Sequence, residues 1–323
     1  MSGYYLGIDI GATKSHALIA DEAGRALGLG KAGPGNHQGV GHEGMAMALR
    51  EATEQALAMA GVSIGEIVGA GFGIGGYDWP SQQPQMLDTI HRALDLRVAP
   101  AITNDAVLGL LAGTDDGWGV ALVAGTSNNC RGRDSQGREG RVTGDGSLFG
   151  EYGGAGELAM KALHSVAAAW SKRGPDTMLT ATLVEYAGAQ SIDALLEGIS
   201  LGHYHIGPDV APRVFEAARA GDAVAREVID WSGRELGDLA VGVIRQLGFE
   251  RTAFDVVLIG SLFKGGEMFT QPMRETILAV APFARFKRLE APPVIGAVLL
   301  GMEQSGLDLT EVRATLISTT REG

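Results

Sequence analysis

The sequence has almost no cysteine, no long hydrophobic run and no cluster of basic residues. Its single cysteine, Cys130, excludes an internal disulfide framework, and neither the Cys-x-x-Cys nor the His-Glu-x-x-His spacing of metal sites occurs. No run of about 18 apolar residues is present, and the amino terminus lacks the basic and apolar segments of a secretory signal. We therefore expect a protein without disulfides or membrane spans, and a cytoplasmic location.

The charge balance is acidic. The chain has 26 Lys and Arg against 38 Asp and Glu, which gives a formal net charge of −12. Such a surface, without a basic run, is unsuited to nucleic acid or to anionic lipid. A small-molecule substrate is the expected partner. The oligomeric state is open, with a homodimer as the expectation.

The chain is long and apolar enough for two packed domains. It has 323 residues, of which 45% are hydrophobic and 20% charged, and many of its 49 glycines lie beside predicted strands. Domains usually hold about 100–200 residues. We predict a first domain at residues 1–113 and a second at residues 114–323, with a ligand cleft between them. The last helix is a candidate to pack back on the first domain.

Strand and helix patterns alternate along the chain, which predicts α/β domains with mixed sheets. In the first domain, strands are predicted at residues 4–10, 15–20, 68–74 and 98–103, and helices at 44–60, 83–94 and 106–111. In the second, strands are predicted at residues 117–124, 130–134, 254–259 and 283–289, and helices at 156–169, 177–186, 211–220, 223–247, 268–280 and 294–303. Each domain therefore opens with a strand, a glycine-bearing turn and a second strand.

The first turn, at residues 11–14, has the sequence Gly-Ala-Thr-Lys and follows a strand that carries Asp9. A glycine turn lets backbone N–H groups approach phosphate oxygens, and Thr13 and Lys14 add a hydroxyl donor and a positive charge. Asp9 suits Mg²⁺ held through water, because Mg²⁺ keeps much of its hydration shell. A strand rather than a helix follows, so this is not a Walker loop. An ordinary hairpin is the alternative interpretation.

Asn104 and Asp105 stand where a predicted strand meets a predicted helix. A carboxylate at that junction can accept the proton of an attacking hydroxyl during phosphoryl transfer. Asn and Asp are also the usual N-cap residues of helices. The pattern by itself favours the cap, and catalysis by Asp105 is the second interpretation.

Two more glycine-bearing strand ends lie in the second domain. Gly125 and Thr126 begin a donor-rich turn suited to phosphate, and Asn129 follows in the same turn. Gly260 and Ser261 end another strand, where a small residue lets an adenine or a ribose lie against the backbone. Ordinary strand ends are the alternative in both places.

Polar groups suited to a substrate occur in two loops. Asn36 lies in the first-domain loop at residues 33–37, and Asp145 lies in the Gly-Asp-Gly-Ser turn at residues 144–147. Their side chains can hydrogen-bond the hydroxyl groups of a sugar, and capping of the following helix is the alternative for the turn.

The order of these motifs resembles the actin, hexokinase and Hsp70 superfamily. Within it, the chain is most similar to the BadF/BadG/BcrA/BcrD-type ATPase family, which includes the eukaryotic-type N-acetylglucosamine kinases, from about residue 4 to residue 303. The resemblance implies two ribonuclease H-like (actin-like ATPase) domains with an interdomain cleft. It also implies ATP and Mg²⁺ as cofactors, and transfer of the γ-phosphate to a hydroxyl of an amino sugar or N-acetylamino sugar.

The same resemblance implies a role for each candidate residue. The base for the sugar hydroxyl is Asp105, and the residue of the Mg²⁺ site is Asp9. The phosphate contacts are Gly11, Thr13, Lys14, Gly125 and Thr126, and the nucleoside contacts are Gly260 and Ser261. The sugar contacts are Asn36, Asn104, Asn129 and Asp145.

The chain departs from the family pattern in two motifs. Residues 125–130 read Gly-Thr-Ser-Asn-Asn-Cys, and Asp145 is not followed by a second acidic residue. Which sugar and which hydroxyl are used is therefore open. The alternative function is a BadF-type ATPase coupled to a partner protein. Activators of that kind hold an iron–sulfur cluster with cysteines, whereas this chain has only Cys130.

Overall fold

Two five-stranded β-sheets form the frame of the protein, seen here in a computed structural model that describes residues 3–309 and 312–320. The strands of the first sheet are β1 (Tyr4–Ile10), β2 (Ser15–Asp21), β3 (Ala26–Ala32), β4 (Ile67–Ile74) and β5 (Ala101–Asn104). Those of the second are β6 (Gly119–Ala124), β7 (Asn128–Arg133), β8 (Glu139–Arg141), β9 (Phe254–Ile259) and β10 (Ala284–Arg288). The predicted domain bounds at residues 1 and 323 lie outside the described residues, because residues 1–2 and 321–323 are not among them.

Helices connect and cover these strands. Those near the first sheet in sequence are α1 (His37–Ala60), α2 (Gln83–Ala93) and α3 (Asp105–Gly113). The later ones are α4 (Ala155–Trp170), α5 (Leu179–Ala187), α6 (Ile192–Ser200), α7 (Ala211–Arg219), α8 (Ala223–Leu247), α9 (Glu267–Leu278), α10 (Val294–Gln304) and α11 (Val312–Thr319). Within the described part of the chain, every helix is too short or too polar to cross a lipid bilayer.

Each sheet combines antiparallel and parallel strands in the same way. The strand order is β3-β2-β1-β4-β5 in the first sheet and β10-β9-β6-β7-β8 in the second. The first three strands of each sheet pair antiparallel in chain order. The fourth strand pairs parallel with the first, and the fifth pairs parallel with the fourth. The predicted α/β architecture is confirmed, and the second sheet repeats the connectivity of the first.

Helix α10 follows the second sheet in the chain but packs on the first. Glycines allow its backbone to approach the strands. A Cβ built on Gly7 of β1 would lie 2.3 Å from the Val298 nitrogen, and one built on Gly71 of β4 would lie 2.1 Å from the Ala297 oxygen. These distances leave no room for a side chain, so glycine is required there. The division of the chain at residues 113 and 114 stays a prediction.

Strand β3 and the start of α1 differ from the sequence predictions. The sequence does not predict β3, because its alanines and glycines have low strand propensity. Those glycines let α1 lie directly on the strand, since a Cβ on Gly30 would approach the Ala52 oxygen to 1.8 Å. Helix α1 begins at His37, earlier than predicted, because Asn36 caps it. Its first turn is separated from the rest by the non-helical Gly41.

Three short elements, β8, α6 and α11, are also absent from the predictions. A short element carries little periodic signal, which explains why sequence patterns do not reveal them.

Replacing Gly71 by alanine should destabilise the protein, because the added Cβ would overlap the Ala297 oxygen of α10. We expect the free energy of unfolding to fall by about 1–3 kcal/mol, the usual effect of overpacking. Gly242→Ala in α8 is the matched control, since no neighbouring atom lies within 4 Å of the new Cβ. Alanine there should add about 0.5–1 kcal/mol. Chemical denaturation tests both variants, and equal stabilities would contradict the tight packing of α10.

Candidate active site

The candidate site lies at the edge of the first sheet where three parallel strands end. The carboxyl ends of β1, β4 and β5 meet at this edge. The Gly75 N–H, just after β4, donates to the Ile10 oxygen at the end of β1 over 2.7 Å. In open α/β sheets, ligands bind outside the carboxyl ends of the strands. Asp9 and Asp105 stand at two of these ends and therefore face the same region.

The turn between β1 and β2 carries the predicted phosphate contacts Gly11, Thr13 and Lys14. The Gly11 N–H donates to the Lys14 oxygen over 3.1 Å, and the Gly11 oxygen accepts from the N–H groups of Gly35 and Asn36 at 3.1 and 3.2 Å. The turn is thus tied to the loop before α1. Thr13 and Lys14 are exposed, so that both side chains are accessible to a ligand.

Two carboxyl groups at this edge, Asp9 and Asp105, have raised pKa values. Burial raises the pKa of Asp9 to about 7, with the Asp105 carboxylate adding to the rise and Lys14 opposing it. Burial likewise raises the pKa of Asp105 to about 6, with Asp78 adding to the rise and a backbone N–H and Arg131 opposing it. Desolvation and like charge disfavour the ionised form of a carboxylate. A cation placed here would lower both pKa values again.

Three predicted sugar contacts, Asn36, Asn104 and Asn129, border the same edge. A Cβ built on Gly75 would lie 3.2 Å from Asp105 Oδ2 and 3.7 Å from Asn36 Nδ2, so these two side chains flank Gly75. Asn129 of β7 donates through Nδ2 to Asn104 Oδ1 over 3.3 Å. Its own buried Oδ1 has no hydrogen-bond partner among residues 3–309 and 312–320. Asn129 therefore retains an acceptor that a ligand hydroxyl could satisfy.

The side chain of Asn104 makes four hydrogen bonds within the protein. Its Oδ1 accepts from the Ala106 N–H over 3.0 Å, as the N-cap of α3, and also from Asn129. Its Nδ2 donates to the Tyr77 oxygen and to Asp78 Oδ1, both over 3.1 Å. An amide side chain offers two donors and two acceptor sites. This bonding favours the cap interpretation for Asn104, and its direct contact with a sugar stays a prediction.

Asp145 lies in a loop that reaches this edge from the second sheet. A Cβ built on Gly144 would lie 2.4 Å from Asp78 Oδ1, so the loop contacts the segment after β4. Glu151, which is buried, accepts from the N–H groups of Thr143 over 2.6 Å and Gly144 over 3.0 Å. Asp145 itself is exposed. The loop is held by Glu151, and Asp145 is accessible beside Asp78.

Helix α4 begins beside the second predicted phosphate turn and holds it in place. The Ala155 N–H donates to the Gly125 oxygen over 2.9 Å, and the Gly156 N–H donates to the Thr126 oxygen over 3.0 Å. Glu157 accepts from a backbone N–H at the start of the helix over 2.9 Å. The N-cap of α4 is therefore Gly154, whose N–H is bound by Glu157, and Asp145 does not cap this helix.

A cavity of about 430 Å³ opens next to this turn. Three predicted nucleotide contacts, Gly125, Thr126 and Ser261, line it together with Phe215 and Arg219 of α7. Cavities of roughly 300–1,000 Å³ are typical of small-molecule sites. The cavity therefore has the size for a nucleoside, with a turn rich in donors at its side.

The other predicted nucleotide contacts do not line this cavity in the described part of the chain. Gly260 has a φ of +116°, and a Cβ on it would lie 2.3 Å from the Ala124 oxygen. Glycine is therefore required there by the close approach of two strand ends. Lys14 lines a separate cavity of about 90 Å³, and Thr13 stands in the exposed first turn.

The sequence predictions miss the charged pair beside the site and the α7 wall of the cavity. Asp78 and Arg131 form a buried ion pair, with burial holding the pKa of Asp78 above its usual value and Arg131 opposing the rise. One signal could have indicated Arg131, a charged residue inside a strand pattern next to the buried Cys130. Phe215 and Arg219 carry no comparable signal, because they follow an ordinary amphipathic helix pattern.

Two sheets of the same topology, each opening with a strand, a turn and a second strand, define an α/β protein with the actin-like ATPase fold. The solved structure of a candidate N-acetylglucosamine kinase from Chromobacterium violaceum has this fold, with a TM-score of 0.69 and 20% identity, and the match covers 92% of this chain and 98% of that chain. A ROK family glucokinase from Streptomyces griseus matches with a TM-score of 0.55 and 22% identity, covering 93% and 100% of the two chains. The predicted fold is confirmed.

The chain belongs to the BadF/BadG/BcrA/BcrD ATPase family, which its residues 6–301 match. It is 25% identical over 313 residues to an N-acetyl-D-glucosamine kinase of Dictyostelium discoideum, covering 92% of this chain and 97% of the relative. It is 24% identical over 307 residues to an N-acetylmuramic acid/N-acetylglucosamine kinase of Clostridium acetobutylicum, covering 93% and 99%. The predicted family is confirmed, and an ATPase family implies the use of ATP.

Mg²⁺ fits the chemistry of the donors at this edge. Asp9 offers the hard carboxylate oxygens that Mg²⁺ prefers, and a nearby cation would favour its ionised form, which burial disfavours. No cluster of three or more His, Cys, Asp or Glu side chains in residues 3–309 and 312–320 is arranged to hold a metal ion. A single carboxylate such as Asp9 is compatible with Mg²⁺, because this ion keeps several water molecules as ligands.

Replacing Asp9 by asparagine should stabilise the ligand-free protein above neutral pH. An unfolded Asp has a pKa of about 3.9, and folding raises that of Asp9 to about 7. The stability contributed by protonated Asp9 is therefore complete below about pH 4 and is lost as the pH rises through about 7. Melting temperatures in EDTA should be equal for Asp9→Asn and wild type near pH 4, and higher for the variant near pH 8. A difference independent of pH would contradict the burial of this charge.

Proposed function

We propose that this protein is an ATP-dependent kinase that transfers the γ-phosphate to a hydroxyl of an amino sugar or N-acetylamino sugar. The observation that carries the proposal is the position of Asp105. Its carboxylate flanks Gly75 together with the amide of Asn36, and it is close enough to Asp9 to raise the pKa of that carboxyl. Its nearness to Asn36, a proposed sugar contact, and to Asp9, the proposed metal residue, supports the role of a base in transfer to the sugar.

Asp105 is the proposed general base. It is the first residue of α3, and its pKa of about 6 leaves it mainly ionised at neutral pH. An ionised carboxylate can accept the proton of the attacking sugar hydroxyl, which contributes about 10²–10⁴-fold to the rate. Positioning of the reactants and neutralisation of phosphate charge supply the remainder in phosphoryl transfer.

The nucleoside of ATP would occupy the 430 Å³ cavity, with its phosphates toward Gly125, Thr126 and the turn at residues 11–14. Membership in an ATPase family supports this donor. Bound Mg²⁺ would neutralise phosphate charge, and Asp9 is the residue proposed to hold it. The proposed domains, residues 1–113 and 114–323, would enclose the nucleotide and the sugar between them.

The relatives support an acetylated amino sugar as the acceptor. Both are named for N-acetylglucosamine, and each matches over nearly its whole length. In this chain, the amide side chains of Asn36 and Asn129 offer donors and acceptors that suit sugar hydroxyls. Asp145 is proposed as a further contact, because it is exposed beside Asp78 at the same edge.

Replacing Asp105 by asparagine should remove the proposed base while keeping its shape. We expect sugar-dependent ADP release to fall by about 10²–10⁴-fold. In the wild type, kcat/KM should fall as the pH drops below about 6, because protonated Asp105 no longer accepts the hydroxyl proton. Asp88→Asn is the control, since this exposed carboxylate of α2 pairs with Arg92 away from the site. Full activity in a folded Asp105→Asn variant would exclude the role.

A substrate panel tests the acceptor class. ADP release with Mg²⁺-ATP should depend on an added sugar and should be fastest with N-acetylglucosamine, N-acetylmuramic acid or glucosamine, compared with glucose and with water alone. Turnover that ignores every sugar would contradict the kinase proposal and favour an ATPase coupled to a partner protein.

A further inference from the structure

A buried ion pair between Asp78 and Arg131 joins the two sheets next to the proposed base. Asp78 lies in the loop after β4, and Arg131 lies on β7. Arg131 Nη2 is 2.5 Å from Asp78 Oδ1, and the two side chains are only 3% and 5% exposed. The Arg141 guanidinium, at the end of β8, donates to the Asp78 backbone oxygen. One residue of the loop that follows β4 is therefore held by two arginines of the second sheet.

The loop at residues 143–150 packs against the Asp78 carboxylate. Gly144 approaches Asp78 so closely that a Cβ would lie 2.4 Å from Oδ1. Nearby, the Arg141 guanidinium lies over the Trp79 ring, 4.6 Å from its centre. The segment after β4 and the segment after β8 thus pack directly against each other, and this contact sets the position of Asp145.

The network continues from Asp78 to the proposed base. Asn104 Nδ2 donates to Asp78 Oδ1 over 3.1 Å. The same Asn104 caps α3, which begins with Asp105, and accepts from Asn129. A displacement of Asp78 would therefore move the cap of α3 and the amide of Asn129 together. The proposed sugar contacts lie on both sheets, and this network sets their relative position.

Stability alone explains the ion pair poorly. Burying two charges removes their hydration, and pairing compensates that loss only in part. Arg131 Nε has no hydrogen-bond partner among the described residues, so the guanidinium is incompletely satisfied. An apolar pair of similar size would often be equally stable. A short charged hydrogen bond, in contrast, is directional and restricts geometry.

We propose, on the basis of the kinase function proposed above, that Asp78 and Arg131 are positioning residues for phosphoryl transfer. Their ion pair sets the distance between the Asp105 carboxylate and the sugar contacts that the second sheet supplies. They act through Asn104, Asn129 and the loop at residues 143–150, and not on the reacting atoms.

Three variants separate positioning from stability. Asp78→Asn and Arg131→Met each leave one buried charge without its partner, and both should lose thermal stability and activity. Asp78→Asn/Arg131→Met replaces the ion pair by a neutral pair of similar size and should regain the melting temperature of the wild type. Its kcat/KM for the sugar should remain about 100-fold low, because a misplacement of about 1 Å has that effect. Its KM for ATP should be unchanged.

Arg133→Met is the matched control. Arg133 also lies on β7 and pairs with Glu303 of α10 over 2.9 Å, but these side chains are 18% and 41% exposed. This pair also joins the second sheet to an element that packs on the first, without contacting the proposed sugar groups. The variant should therefore keep the kcat/KM of the wild type for the sugar.

A crystal structure of the Asp78→Asn/Arg131→Met variant gives a readout that does not depend on turnover. We expect Asn129 and the loop at residues 143–150 to be shifted relative to Asp105. Unchanged positions, or a stable double variant with the kcat/KM of the wild type, would overturn the positioning role. A wild type without sugar-dependent turnover would refute the kinase proposal instead, and the crystallographic comparison would still decide the role of the pair.

Discussion

Three parallel strands that end at one edge of the first sheet are the constraint on which the site depends. They bring Asp9 and Asp105, which are far apart in the chain, into one partly buried region. Burial there raises the pKa of both carboxyl groups, with the charge of Asp105 adding to the rise at Asp9 and that of Asp78 adding to the rise at Asp105. Such an arrangement is unfavourable for the folded protein by itself, and strongly perturbed carboxylates are typical of functional sites. A bound cation would favour the ionised form of both carboxyl groups.

A second constraint is the close packing of helix backbone on strand backbone, which glycine makes possible. Gly7 and Gly71 admit the backbone of α10, and Gly30 admits that of α1. Glycine also matters at the candidate site, where the missing side chain of Gly75 leaves the space between Asn36 and Asp105 open. A high glycine content therefore serves close packing of backbone on backbone as much as it serves turns.

Polar contacts between the two halves of the protein also help to set their relative position. The second sheet repeats the topology of the first, so its own opening turn, at Gly125 and Thr126, lies beside a strand end in the same way. Apolar packing of α3 against β6 and β9 joins the halves, and the polar contacts of Asp78 with Arg131 and Arg141 are added to it. Directional polar contacts specify a relative position more narrowly than apolar contacts do, because each donor requires its acceptor at one distance and angle.

Local patterns in the sequence were sufficient for most strands and helices, for the two glycine-bearing turns, and for Asp105 at a strand-to-helix junction, because each depends on neighbours in the chain. The same patterns missed β3, whose glycines make sense only with α1 on top of it. They correctly favoured Asn104 as a helix cap, whereas its contact with a sugar, which the family resemblance implies, stays a prediction. The sequence by itself thus determined the family, the alternation of elements and the candidate carboxylates. Only the tertiary structure decided the pairing of Asp78 with Arg131 and the shared environment of Asp9 and Asp105, because burial and long-range contacts have no local signature in the chain.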